Sequence, residues 1–210
     1  MAEKTKLSAL VGRNYKALIL AALIGSFGAA SVLVDFVAEH EGEVLTTYKD
    51  PVGVWTACYG DTSPEMAVPG AVYSREECLE SLLTQLINHA RPVVEIIPEV
   101  RRSPKMAAAF ASLTYNIGPA AFRSSSVVKR FKAGDYAGAC EAMKMWNKAG
   151  GKVLKGLVTR RDDEYRLCMQ GVTDMEKDDA QTLFDLEPET LVCSRSDSGR
   201  PFGDAHMVGM

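Results

Sequence analysis

The longest apolar stretch of the chain is ALILAALIGSFGAASVLV, residues 17–34, which holds no charged residue. Basic residues precede it and acidic residues follow it, an order typical of a membrane segment with its N-terminus in the cytoplasm. As one helix it would reach about 27 Å, just enough for a hydrocarbon core of roughly 30 Å. Three interpretations stay open here: an uncleaved, weakly apolar anchor, a signal peptide cleaved near Gly28-Ala29-Ala30, and an ordinary buried helix.

Two short strands are predicted directly after this stretch. TTYKD and VGVWTACYG alternate apolar and polar positions and are rich in Thr, Tyr, Val and Trp, with the turn sequence DPVG between them. Gly42 follows VAEHE, where a glycine commonly ends a helix. The pattern therefore predicts a helix that ends near Gly42 and leads into a small antiparallel sheet.

The chain beyond residue 74 is expected to be mostly helical. Ser74 and Glu77 form a capping-box pattern that opens a helix with apolar positions at the 3.6-residue period. Pro92 and Pro98 are predicted to break the chain. Further helices are predicted to begin at Ser103-Pro104, at Ser125 or Ser126 and at Asp135, and VTRRDDEYRLCM is expected to be helical. The fold class is therefore α+β and mainly helical, with a small β lobe and a larger helical lobe.

Composition narrows the possible partners. A chain of 210 residues with 47% hydrophobic residues can form one globular unit, and a net charge of −3 without a basic stripe argues against nucleic-acid binding. Three scattered histidines and no CxxC pair predict no metal site and no cofactor. Five cysteines suit two disulfides and one remaining thiol in an oxidising compartment. The acidic stretch from 173 predicts a mobile or loosely docked tail.

Glu41, Asp50 and Thr56 are the candidate catalytic residues. Each alone has a structural explanation: a solvated helix end, a turn former before a proline, and a cross-strand threonine. Together they suit glycoside hydrolysis, which needs one carboxyl that holds a proton and a second that stays ionised. A glutamate at a helix C-terminus faces the negative end of the helix dipole, which favours the protonated form. An aspartate at a polar hairpin turn stays charged.

The sequence resembles the phage lysozyme, or endolysin, family of muramidases, glycoside hydrolase family 24. The resemblance begins with EG, then L, then YKD..G.WT..YG, and it covers roughly residues 38–171. It continues through YNIG at 115–118, Phe122 followed by SSSVVKRF, AGDYAGAC at 133–140 and W.KAGGKVLKGLVTRR at 146–161. The resemblance implies a lysozyme-like fold and hydrolysis of the β-1,4 bond between N-acetylmuramic acid and N-acetylglucosamine in peptidoglycan, with inversion.

The resemblance also implies roles for single residues. Glu41 is the expected general acid, Asp50 the carboxylate that orients and activates water, and Thr56 a water-positioning hydroxyl. Asn116 lies where the family contacts substrate, with a helix-end amide bonded to the backbone as the alternative. Three further residues are expected to be structural, as a core aromatic and as ion-pair partners of acids: Trp146, Arg160 and Arg161.

Within the family, the apolar N-terminus and the cysteine set resemble the signal-anchor-release endolysins. This implies an anchor at 1–36, a muramidase domain at 37–172 and a C-terminal tail at 173–210. It also implies insertion through residues 17–34 into the host inner membrane by the host secretion machinery, then release of a monomer into the periplasm. No cysteine lies in residues 17–34 and position 50 is Asp, so control by cysteine exchange is excluded. Control is instead expected from Glu41, which a membrane-bound anchor would hold out of register with Asp50.

On the same resemblance, two disulfides are expected, Cys58–Cys78 and Cys140–Cys168, with Cys193 free and buried reduced thiols as the alternative. The chain departs from the family's common T.GYGH, since Cys58 stands in place of a glycine and Asp61 in place of a histidine. Any ion pair of that histidine is then absent, while the three catalytic positions are unaffected.

Two rival functions remain. A lytic transglycosylase would cleave the same bond with a lone acid, leaving Asp50 dispensable and forming an anhydro sugar. A membrane-anchored wall-binding protein would keep the fold without the chemistry.

Overall fold

The computed structural model describes residues 14–50 and 53–186, with side chains up to residue 181. The described chain is mainly helical with a small antiparallel sheet, as the sequence predicts, and it has a second two-stranded sheet that the sequence did not indicate. The helices are α1 (Tyr15–Ile24), α2 (Phe27–Glu41), α3 (Arg75–Ile96), α4 (Pro104–Ile117), α5 (Pro119–Ser124), α6 (Ser126–Lys132), α7 (Tyr136–Ala142) and α8 (Lys155–Leu186), with 3-10 turns at Pro98–Arg102 and Met143–Met145. The strands are β1 (Val44–Lys49), β2 (Trp55–Cys58), β3 (Lys148–Ala149) and β4 (Lys152–Val153).

The apolar stretch 17–34, considered above as one helix, forms parts of two helices in this structure. Gly25 adopts a left-handed conformation, which suits a residue without Cβ, and its N–H donates to the Ala21 carbonyl at 2.8 Å. Ser26 then caps α2 by accepting the Ala29 N–H. The axes of the two helices differ in direction by 107°. No single described helix is long and apolar enough to cross a membrane, although the two helices together have the length and the composition of a membrane span.

Both N-terminal helices pack into the main core. Eight of their apolar side chains are buried: Ala17, Leu20, Ile24, Ala29, Ala30, Leu33, Val34 and Val37. Helix α1 packs on α3 and helix α2 packs on α4, so these side chains belong to the same core as the larger helical lobe. The expected anchor boundary after residue 36 therefore lies inside α2. One compact unit is Met1–Glu176 and the other is Lys177–Met210.

The predicted hairpin is present. Strands β1 and β2 are antiparallel, with Tyr48 opposite Thr56 and Lys49 opposite Trp55. The pairing is irregular between Val44 and Tyr48. Because β1 begins three residues after the last residue of α2, the sheet starts directly beside the end of that helix.

Most helix starts agree with the sequence, but one predicted break is absent. Ser74 and Glu77 form the capping box of α3, and Ser103, Ser125 and Asp135 cap α4, α6 and α7. Pro92 does not end α3, which continues to Ile96. The buried residues of its last turns, such as Val93 and Val94, stabilise this continuation by packing.

Two disulfides are present, between Cys58 and Cys78 and between Cys140 and Cys168. The first joins β2 to α3, and the second joins α7 to α8. They are the two pairs implied by the family resemblance. Cys193 lies outside the described residues. Helix α8 extends to Leu186, well beyond the expected start of the tail at 173.

Candidate active site

Glu41 is the last residue of α2, and its side chain remains 24% exposed. Gly42 ends the helix with a positive φ of 77°, as the sequence predicts, and its N–H donates to the Ala38 carbonyl. A Cβ at Gly60 would lie 3.6 Å from Glu41 Oε2, so the backbone after β2 passes close to this oxygen. The Glu41 carboxyl therefore lies partly exposed beside the backbone of Gly60.

Arg160 holds the other oxygen of Glu41. Its Nη1 donates to Glu41 Oε1 at 2.6 Å, and the guanidinium is only 5% exposed. The ion pair therefore joins the end of α2 to α8 across 119 residues of sequence. Arg160 was expected to be a structural ion-pair partner; its partner is the candidate proton donor itself.

A fully buried carboxyl, Glu164, lies behind this ion pair. Arg160 Nε donates to Glu164 Oε1 at 3.3 Å, Arg161 Nη2 donates to the same oxygen at 2.9 Å, and the Ser112 hydroxyl donates to it at 2.7 Å. Burial raises the pKa of Glu164, while the two guanidinium groups and the hydroxyl act against that rise. Burial likewise lowers the pKa of Arg161, and the charge of Glu164 counteracts it.

We take this cluster as charged. A neutral Glu164 would leave two buried guanidinium groups with only Glu41 to balance them, which is a costly arrangement. Several of its polar atoms have no hydrogen-bond partner among the described residues, including Arg160 Nη2 and Arg161 Nη1. The cluster is therefore dense in charge and incompletely satisfied by hydrogen bonds.

Asp50 lies in the turn that joins β1 to β2. Its Oδ1 accepts the Val54 N–H at 2.8 Å, and its own N–H donates to the Val54 carbonyl at 2.9 Å. Its carbonyl accepts the Gly53 N–H at 2.9 Å. These bonds fix the carboxylate through the backbone of the turn, in the polar environment that the sequence predicts.

Thr56 stands on β2 and is 4% exposed. Its hydroxyl donates to the Val54 carbonyl at 3.2 Å, so the oxygen lone pairs of the hydroxyl can accept a hydrogen bond from a water. Asp50 and Thr56 therefore both bond to the backbone of Val54, and a single turn holds the two groups.

Tyr115 ties α4 to the segment beside Glu41, a role that the sequence did not indicate. Its hydroxyl lies 2.8 Å from the Tyr59 carbonyl and 3.2 Å from Gln85 Oε1. Burial, and then the negative charge of Glu41, raise the pKa of Tyr115 well above its ordinary value. Tyr115 is therefore a neutral hydroxyl close enough to Glu41 to experience its charge.

The two departures from the family pattern have structural explanations. Cys58 has a φ of 54°, a left-handed conformation that glycine adopts without strain, and its side chain forms the disulfide to Cys78. Asp61 is 6% exposed and accepts hydrogen bonds from the Ser63 N–H and the Ser81 hydroxyl. The carboxyl at position 61 is thus bonded to neutral donors.

The remaining expected residues fall in different environments. Asn116 is exposed near the end of α4, and its amide forms no hydrogen bond with any described residue. Trp146 is partly buried against the core, as expected. The sequence did hold a signal for the buried cluster: Glu164 is four residues after Arg160 and three after Arg161, the spacing of helical ion pairs. Within 14–50 and 53–186, no group of His, Cys, Asp or Glu is arranged to hold a metal ion.

Comparison with known proteins gives consistent matches. The family model described as Phage lysozyme matches residues 38–164. The SAR-endolysin of Enterobacteria phage P21 is 38% identical over 154 residues, covering 70% of this chain and 90% of that protein. The endolysin from Escherichia coli O157:H7 phage FAHEc1 has a TM-score of 0.60 at 30% identity, covering 65% of this chain and 89% of that one. The active form of P1 phage endolysin Lyz has a similar fold, with a TM-score of 0.63 at 19% identity over 75% and 94% of the two chains.

Proposed function

Since this chain belongs to the phage lysozyme family, we propose that it is an endolysin that hydrolyses the β-1,4 bond between N-acetylmuramic acid and N-acetylglucosamine in peptidoglycan. Glu41 is the general acid, and Asp50 with Thr56 positions the attacking water. The main support is the placement of Glu41: a partly exposed carboxyl at a helix end, with one oxygen beside Gly60 and the other held by a buried arginine.

The chemistry assigns a separate task to each carboxyl. Cleavage needs a proton on the glycosidic oxygen as the bond breaks, and Glu41 Oε2 is the accessible oxygen that delivers it. A water attacks the anomeric carbon from the opposite face of the ring, guided by the Asp50 carboxylate. Thr56 accepts a hydrogen bond from this water. Attack by water on the opposite face inverts the anomeric configuration, for which carboxyl groups about 6.5 to 9.5 Å apart are typical.

Asn116 is proposed as a substrate contact. Its side chain is exposed, one residue after Tyr115, which lies near Glu41. An amide can donate to and accept from the N-acetyl and hydroxyl groups of a glycan. Its lack of hydrogen bonds within the described chain favours this role over a helix-end amide bonded to the backbone.

The N-terminal stretch is proposed to act first as a membrane anchor and then as part of the core. Helix α1 is apolar on its exposed face as well as its buried one, since Leu18 and Ile19 are exposed while Leu20 and Ile24 are buried. A helix that is apolar all round exceeds what packing in a soluble protein requires. Residues 17–34 are therefore proposed to insert into the host inner membrane through the secretion machinery and to leave it later for the periplasm. On this proposal the chain divides into an anchor at 1–36, a muramidase domain at 37–172 and a tail at 173–210.

Cell fractionation tests the anchor. The full-length chain should sediment with inner membranes in energised cells, and it should appear in the periplasm at full-length mass after the membrane potential collapses. A periplasmic protein that begins at Ser31 would show cleavage and contradict the proposal.

Substitution of Glu41 tests the catalytic assignment. Glu41→Gln keeps the shape of the side chain and removes the transferable proton, so we expect at least a hundredfold slower clearing of permeabilised Gram-negative cells. Glu39→Gln is the matched control, because Glu39 lies in the same helix and is exposed. Clearing by Glu41→Gln at the parent rate would refute the assignment.

A further inference from the structure

The buried acid Glu164 has no role in the mechanism so far, although it touches the residue that holds Glu41. Arg160 donates hydrogen bonds to both Glu41 and Glu164. Glu164 also accepts hydrogen bonds from Arg161 and Ser112. Burying two cations and an anion costs several kcal/mol per ion unless their geometry compensates, so the fold gains little from the cluster alone. Its contact with the proton donor suggests a purpose.

Arg160 creates a conflict for a general acid. A guanidinium 2.6 Å from Glu41 Oε1 favours the ionised carboxylate, whereas proton donation requires the neutral acid. The helix C-terminus acts in the opposite sense, but its effect amounts to only a fraction of a unit charge. A second negative charge on Arg160 would weaken the attraction between the guanidinium and the Glu41 carboxylate.

We propose that Glu164 is a positioning residue that shares Arg160 with Glu41, so that it both orients the guanidinium and limits its pull on the proton donor. This rests on the role of Glu41 as general acid. With Glu41 protonated, the remaining three charges carry a net charge of +1. With Glu41 ionised, the cluster is neutral.

The other titratable groups near Glu41 do not supply the negative charge that offsets Arg160. Arg161 adds a second positive charge from α8, and Glu41 in turn acts on it. Tyr115 faces Glu41 from α4 as a neutral hydroxyl. His40 precedes Glu41 and lies 3.6 Å from Asp163, and burial and then the charge of Arg160 lower the pKa of His40. Among the described residues, Glu164 is therefore the carboxyl bonded directly to Arg160 besides Glu41.

The test is the pH profile of clearing by the full-length protein, measured at its alkaline limb, where the general acid loses its proton. Glu164→Gln should move this limb to lower pH by about one unit, the order expected when a nearby unit charge is removed at an effective dielectric of about 20. Arg160→Gln should move the limb to higher pH and also reduce the maximal rate, because Glu41 loses its orientation. The two shifts have opposite signs.

Controls separate this role from a structural one. Glu164→Asp keeps the charge and should leave the limb close to the parent position. Glu141→Gln and Arg130→Gln remove exposed charges whose ion pairs lie elsewhere, with Lys144 and Asp135, and they should not move it. A structural role would lower the rate and the melting temperature at every pH without moving the limb.

Two outcomes overturn the proposal: a folded Glu164→Gln protein whose limb does not move, or an Arg160→Gln protein whose limb does not rise. If Glu164→Gln alone does not fold, the same substitution is made together with Arg161→Gln, which removes a buried cation with the anion, and the limb of this double variant should lie at lower pH than that of Arg161→Gln; equal limbs would overturn the proposal. Glu41→Gln tests the proposed function separately, so failure of the charge-sharing proposal leaves the general-acid assignment in place.

Discussion

Two leucines of the N-terminal stretch, two residues apart, separate packing from membrane insertion. Leu20 is fully buried in the core, whereas Leu18 is 61% exposed. Changing either one to Ala lowers the hydropathy of residues 17–34 by the same amount, so membrane insertion should change equally. Only Leu20→Ala should create a cavity in the folded enzyme.

The expected magnitudes differ clearly. Leu20→Ala should lower the free energy of unfolding by about 2 to 5 kcal/mol, the range for a buried leucine. At about 2 to 4 °C per kcal/mol for a domain of this size, the melting temperature should fall by at least about 4 °C. Leu18→Ala should stay within about 0.5 kcal/mol of the parent.

Circular dichroism of the purified soluble protein measures both variants, by urea titration and thermal unfolding. Equal stability of the two would refute the packing of α1 on α3. In energised cells, the amount of protein in the membrane fraction should fall equally for Leu18→Ala and Leu20→Ala. The difference in their folding stability would then arise from packing and not from membrane insertion.

Three further results are expected. Replacement of both Cys58 and Cys78 by Ser should lower the unfolding free energy by about 3 kcal/mol, from a sequence separation of 20 residues, and a melting curve equal to that of the parent would contradict this. Gly171→Ala should destabilise by about 1 to 3 kcal/mol, because its Cβ would overlap Ser103 Oγ and lie 2.7 Å from Met106 Cγ; Gly156→Ala, with open space at its Cβ, should be nearly neutral. Because the pKa of His40 is lowered, the unfolded state binds more protons, so stability should fall below about pH 6.5 by up to roughly 1.4 kcal/mol per unit. His40→Gln should flatten that dependence, and an unchanged slope would count against it.

Local signals predicted most of the elements. Caps such as Ser74 and Asp135 bond within their own helix turn, so the sequence around them is sufficient. Gly25 and Ser26 carried a local signal too, a C-terminal glycine followed by a capping serine, but the uncharged run 17–34 was interpreted as one helix. Pro92 was misjudged because tertiary packing of the following turn outweighs the lost hydrogen bond.

Long-range contacts set the limit of the sequence argument at the site. Glu41, Asp50 and Thr56 lie within sixteen consecutive residues, so a short sequence motif includes all three. Arg160 reaches Glu41 from 119 residues away, and Tyr115 bonds to Tyr59 from 56 residues away. Such partners depend on how helices pack, which hydropathy and capping do not specify. The i, i+3 and i, i+4 spacing of Glu164 from the two arginines indicated ion pairs within the helix, but it did not indicate that Arg160 also binds Glu41.

The most direct test of the two-carboxyl mechanism is the chemistry of the new sugar end. Purified sacculi digested with the full-length enzyme and followed by mass spectrometry and proton NMR should first yield N-acetylmuramic acid ends that have gained a water and carry the α configuration. Ends that lack this water, as in 1,6-anhydro sugars, would contradict hydrolysis, and β ends would contradict inversion through a positioned water.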